Sequence, residues 1–118
     1  MILHIVARDD WNSALARGIN APPSLGAEGF IHCSTSVQIL HTANRFYRGQ
    51  TGLVILCIEE SRLEDAPRYE PPDSALGETP ADLFPHLYQP LNLDAVVRVI
   101  DFACCAADGS FELPAALR

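Results

Sequence analysis

Six consecutive apolar residues, Leu53-Val54-Ile55-Leu56-Cys57-Ile58, constrain this chain more than any other stretch. In an extended strand, successive side chains point to opposite faces. A run that is apolar at every position has no face left for water. It must lie in the middle of a sheet that is covered on both sides. The rest of the chain has to supply the flanking strands and both covering layers. With 118 residues there is material for one domain, 1–118, and no second core. Apolar residues make up 48%, a globular composition.

Ile2 to Ala7 is short, apolar and bounded by charge, and reads as a buried strand carrying His4. Asp9 or Asp10 then supplies an N-cap. Trp11, Ala14 and Leu15 repeat at helical spacing, and Gly18 stops the helix. Residues 19–28 hold two prolines and read as loop. A second strand over Gly29–Cys33 runs into Ser34-Thr35-Ser36. Thr35 followed by Gln38 fits a capping box, so a second helix is predicted to start there. Its apolar side gathers Ile39, Leu40, Ala43, Phe46 and Tyr47; its polar side gathers His41, Asn44, Arg45 and Arg48. Residues 66–82 are rich in proline and acid and read as loop, with Arg68-Tyr69-Glu70 a short edge strand. Residues 83–92 carry His86 and Tyr88 between Pro85 and Pro90, two prolines that fix the backbone, with Asn92 just after. Ala95 to Phe102 reads as another central strand, and Phe111 to Leu113 as a short last one. The expected class is α+β, with one mixed or antiparallel sheet and two main helices.

Fifteen acids against eight bases give a net charge of -7. Such a surface repels phosphate backbones and anionic lipid, which disfavours non-specific nucleic-acid and membrane partners. All eight bases are Arg. The absence of Lys removes Schiff-base and Walker-type lysine chemistry. No apolar run approaches the roughly 18 residues of a membrane span. The start, Met1-Ile2-Leu3-His4, lacks a charged leader. Cys33, Cys57, Cys104 and Cys105 form no C-x-x-C pair. Reduced thiols in the cytoplasm are therefore expected.

Three histidines, His4, His32 and His86, lie beside strands or in constrained turns, and imidazole is the side chain that shuttles protons near neutral pH. His32 ends a strand just before a helix tip, where unpaired N–H groups and the Ser34 and Thr35 hydroxyls would cradle an anion. Arg45 and Arg48, further down that helix, would grip a second phosphate. Glu70, in the stiff context Arg68-Tyr69-Glu70-Pro71-Pro72, would steady positive charge developing on a sugar. Paired metal-ligand spacings are absent, so no metal is expected. No G-x-S-x-G or G-x-G-x-x-G occurs, which argues against a nucleophile elbow and a Rossmann site. Each histidine also has a plain reading as a core imidazole bonded to backbone.

Several motifs in order carry a resemblance: Glu28-Gly29-Phe30-Ile31-His32-Cys33-Ser34-Thr35, Arg45-Phe46-Tyr47, Tyr69-Glu70-Pro71, Phe84-Pro85-His86-Leu87-Tyr88 and Pro90-Leu91-Asn92-Leu93-Asp94-Ala95-Val96. Over about residues 2–100 the chain resembles domain-of-unknown-function family 952. It departs at Gln89, where that family usually has Gly, and at Asn20-Ala21, where a Tyr is usual. The family has no settled activity. Residues 1–35 also resemble RNA 2′-phosphotransferases of the ADP-ribosyltransferase superfamily, through His4, Trp11, Gly18 and Ile31-His32-Cys33-Ser34. Ile5-Val6 replaces the Gly-Thr that follows the first His in that group.

This second resemblance implies an ADP-ribosyltransferase-like split sheet that binds NAD as substrate. His4, His32 and Glu70 would be catalytic. Ser34, Thr35, Asn44, Arg45, Tyr47, His86, Tyr88 and Asn92 would bind the ligand. The acceptor of ADP-ribose would be a small molecule or a protein side chain. Two other readings stand beside it: a binding module without turnover, and a small histidine-dependent hydrolase.

Overall fold

In a computed structural model, the chain is described over residues 1–20, 25–26, 29–71, 83–104 and 107–117. Strands β1 (Ile2–Ala7), β4 (Leu53–Ile58) and β8 (Val96–Phe102) form a three-stranded sheet in the order β1-β4-β8. The apolar run is its middle strand, and all six of its residues are buried. Two layers cover it. On one face Ile2, Val6, Val54, Leu56 and Ile58 meet Trp11 and Ala14 of helix α1 (Arg8–Arg17) together with Ile31, Cys33 and Leu87. On the other, Leu3, Ile5, Ile55 and Cys57 meet Ile39 and Ala43 of helix α2 (Ile39–Phe46) together with Phe102 and Phe111. Each fully buried aliphatic side chain contributes roughly 1.5–3 kcal/mol.

A second three-stranded sheet has the order β3-β6-β5, from β3 (Ile31–His32), β6 (Phe84–Leu87) and β5 (Arg68–Glu70). A third, two-stranded ribbon pairs β2 (Ile19–Asn20) with β7 (Leu91–Asn92). All these pairings are antiparallel. Where the sequence predicts a single sheet, the described residues form three. The first two are stitched together just beyond β3. The Leu3 N–H donates to the Ser34 carbonyl at 2.7 Å, and the Ser34 N–H returns a bond to Leu3 at 2.8 Å.

Several local expectations need correction. Helix α1 starts at Arg8 with Ala7 as N-cap, and no side chain caps it. Asp9 and Asp10 instead sit in the first turn, where their charge complements the helix dipole. Gly18 does end the helix, at φ 80°, with its N–H on the Ala14 carbonyl. Ile19 and Asn20 are strand rather than loop; Ala21 and Glu28 lie outside the described residues. Helix α2 begins four residues after Thr35. Gln38 still makes half of the capping box, its Oε1 accepting the Thr35 N–H at 3.0 Å. Phe46, assigned to the apolar side, is 40% exposed.

Strand β8 lies at the sheet edge, not its centre, with Val97, Arg98, Val99 and Asp101 exposed. Residues 84–87 form a strand through Pro85, where the sequence predicts only a stiffened backbone. Residues 111–113 form no strand. Of the proline-rich loop, 72–82 and with it Pro80 lie outside the described residues, as does Cys105. No helix among the described residues is long and apolar enough to cross a membrane.

Candidate functional site

The alternation of the second sheet sorts its side chains. Ile31, Cys33 and Leu87 turn into the core. Phe30, His32, His86 and Tyr88, their neighbours in sequence within this sheet, turn to its other face. Arg68 lies opposite His86 on β6, and His86 lies opposite His32 on β3. The three form one row across three strands, on a single face. Phe30, Glu70 and Tyr88, each two residues from a member of the row, complete the face.

These side chains touch. The Phe30 ring stacks on His86 with centroids 4.2 Å apart and meets His32 edge-on at 4.6 Å. His32 and His86 lie 5.7 Å apart, nearly perpendicular. The His86 Nδ1–H donates to Glu70 Oε1 at 3.0 Å, and the Tyr88 hydroxyl donates to the same oxygen. The Arg68 guanidinium lies 4.6 Å from the centre of the Tyr88 ring, within cation–π range. His86 is 6% exposed, whereas His32 opens to solvent. Hydrogen bonds from Tyr88 first, and then from His86, hold the Glu70 carboxyl below its ordinary range. The bond to Glu70 in turn raises the Tyr88 phenol. With a carboxylate on Nδ1, neutral His86 carries its proton there and its basic lone pair on Nε2, the arrangement of a base oriented by an acid.

The remaining expected site residues lie elsewhere. His4 belongs to β1, and its ring is buried in the core rather than opening beside His32. Its Nδ1–H donates to the His32 backbone carbonyl at 2.7 Å, and its Nε2 is buried with no partner among the described residues. Burial pushes its pKa down. Ser34 is buried, with its hydroxyl 3.4 Å from Thr42. Thr35 has its N–H taken by Gln38, so this donor of the expected anion cradle is already used. Asn44, Arg45 and Tyr47 belong to the α2 layer, on the opposite side of the central strand. Asn44 clamps the backbone of Phe111, its Oδ1 accepting the N–H at 2.6 Å. Asn92 braces residues 62–64 through the Arg62 carbonyl and the Glu64 N–H.

Among the described residues, no group of three His, Cys, Asp or Glu side chains is arranged to hold a metal. A depression near Leu63, Leu87 and Pro90 has a volume of about 10 Å³, room for a single water and not for a small molecule. Sequence reasoning passed over Phe30 and Arg68 as site residues. The signal was present: Phe30/His32, Arg68/Glu70 and His86/Tyr88 are all spaced by two, so each pair shares a strand face.

Residues 5–99 match the family described as a protein of unknown function, DUF952. The chain belongs to this family. No curated protein matches it. This DUF952 chain is similar to protein CC0527 from Caulobacter crescentus. The crystal structure of CC0527 is 34% identical over 98% of this chain and 96% of that one, with a TM-score of 0.83. A methionine double mutant of CC0527 superposes with the same TM-score at 33% identity, over the same shares of both chains. The solution structure of CC0527 gives 0.76 at 34% identity, covering 95% of this chain and 91% of that one. These neighbours support an α+β fold with antiparallel sheets and carry no named activity.

Proposed function

We propose that the outer face of the second sheet binds a nucleotide of the NAD class and transfers its ADP-ribose portion to a small molecule or protein side chain. One observation carries this reading: the Glu70 carboxyl, fixed by His86 and Tyr88, beside a row of Arg68, His86 and His32. In such a transfer the bond from ribose to nicotinamide breaks and nicotinamide leaves with the electron pair. Positive charge develops on the ribose, and the Glu70 carboxylate offsets it. Arg68 meets phosphate charge as a planar donor. Phe30 offers a flat apolar surface to a base. As the acceptor forms its bond to the ribose carbon, its proton passes to the His32 imidazole. The free thiols of Cys33, Cys57 and Cys104 accord with a reducing cytoplasm.

Calorimetric titration with NAD and ADP-ribose tests the proposal. Binding at submillimolar ligand is expected, weakened about tenfold or more in Glu70→Gln through loss of a charge-assisted contact. No heat and no competition at millimolar ligand would sink it. The position of His4 favours a second reading, a binding module without turnover. The histidine that the resemblance puts on the ligand is here committed to the core. That reading expects bound nucleotide and no nicotinamide. Steady nicotinamide release that disappears in His32→Ala excludes it.

A further inference from the structure

Both hydrogen bonds to Glu70 fall on one of its two oxygens. His86 Nδ1 and the Tyr88 hydroxyl share Oε1, while Oε2 accepts no bond from any described residue. A carboxylate has about four lone-pair positions, so half of its accepting capacity stays open. The Glu70 side chain is 36% exposed, so it remains open to a ligand from solvent. Tyr88 is itself confined, with Arg68 against its ring at 4.6 Å and Phe30 at 5.6 Å. Its hydroxyl therefore has one partner and little freedom to leave it.

We infer that Tyr88 is a positioning residue: with His86 it pins Oε1 of Glu70 and so presents Oε2 as the acceptor for a hydroxyl or amide N–H of the ligand. This rests on the reading of the outer face as a ligand site. It adds a selection rule. A phosphate placed against Oε2 is repelled, so the ligand meets Glu70 with an uncharged donor and turns its negative charge toward Arg68. Tyr88 touches no reacting atom in this arrangement; it acts only through Glu70.

The test uses the whole chain with carboxyl-labelled glutamate. The Glu70 carbon is followed by NMR against pH in the wild type and in Tyr88→Phe, without ligand, while amide dispersion reports that the variant is folded. The midpoint for Glu70 is expected to move up in Tyr88→Phe, because a donor to the charged form is gone. A midpoint that stays put overturns the positioning role. NAD titration of the same two proteins is expected to show about tenfold weaker binding in the variant, with its acid limb displaced upward in step with the carboxyl. Equal NAD affinity overturns the inference. A wild type that binds no NAD, in a chain whose Glu70 midpoint does respond to Tyr88→Phe, instead overturns the nucleotide function and keeps the clamp.

Discussion

His4 ties the stability of this protein to pH through a single proton. Its ring is buried, Nδ1 is engaged and Nε2 meets no partner among the described residues. Burial lowers its folded pKa below the ordinary value of 6.5. The unfolded chain therefore takes up the proton first as pH falls. Stability is complete above about pH 6.5 and declines below it, by at most about 1.4 kcal/mol per pH unit for one proton. Urea unfolding at pH 8, 6 and 5 should show this decline. His4→Phe should flatten it while losing about 1 kcal/mol at pH 8, because the His32 carbonyl loses its donor. Glu70 acts in a lower window. Its folded pKa is depressed, so its contribution is present above about 4.5 and is lost as pH falls through the folded value. Much at this scale was legible, because His32, Glu70, His86 and Tyr88 are residue types with a chemistry. Phe30 and Arg68 were harder, since only the strand pairing gives them neighbours. The role of His4 was hidden because its partner is a backbone carbonyl 28 residues away.

Elements built from local signals were read well. Strand β1, strand β4 and the Gly18 stop of α1 follow from apolar runs and a glycine, which depend on near neighbours. Elements made by partners were not. Phe84–Leu87 is a strand because Ile31–His32 and Arg68–Glu70 flank it, and β8 lies at an edge because no strand among the described residues pairs its far side. Three outcomes belong here. Leu56→Ala empties the most enclosed strand and should cost about 2–5 kcal/mol in denaturant unfolding. Asn44→Ala frees the Phe111 backbone and should cost about 1–3 kcal/mol, with faster amide exchange over residues 107–113. Gly109→Ala should destabilise the same segment. The new Cβ would lie 2.8 Å from the Gly49 backbone, and φ there is +83°, a conformation that side chains resist. Thermal unfolding that leaves this variant unchanged would contradict the close approach.

For the molecule as a whole, the α+β class was readable and the division into three sheets was not. Apolar alternation says which face of a strand is buried, and it does not say which sheet the strand joins. The backbone at 31–34 belongs to both large sheets. Ile31 and His32 pair with β6, the Cys33 N–H bonds to Pro85, and Ser34 exchanges two bonds with Leu3. Beside the core packing of Ile31, Cys33 and Leu87, the backbone hydrogen bonds that join the two sheets among the described residues form a seam two amides wide. Those two amides serve as a gauge of events neither residue takes part in. A compound that tightens the histidine-bearing surface should slow deuterium uptake at Leu3 and Ser34. A change that loosens that surface should quicken uptake there, before the central strand yields at all.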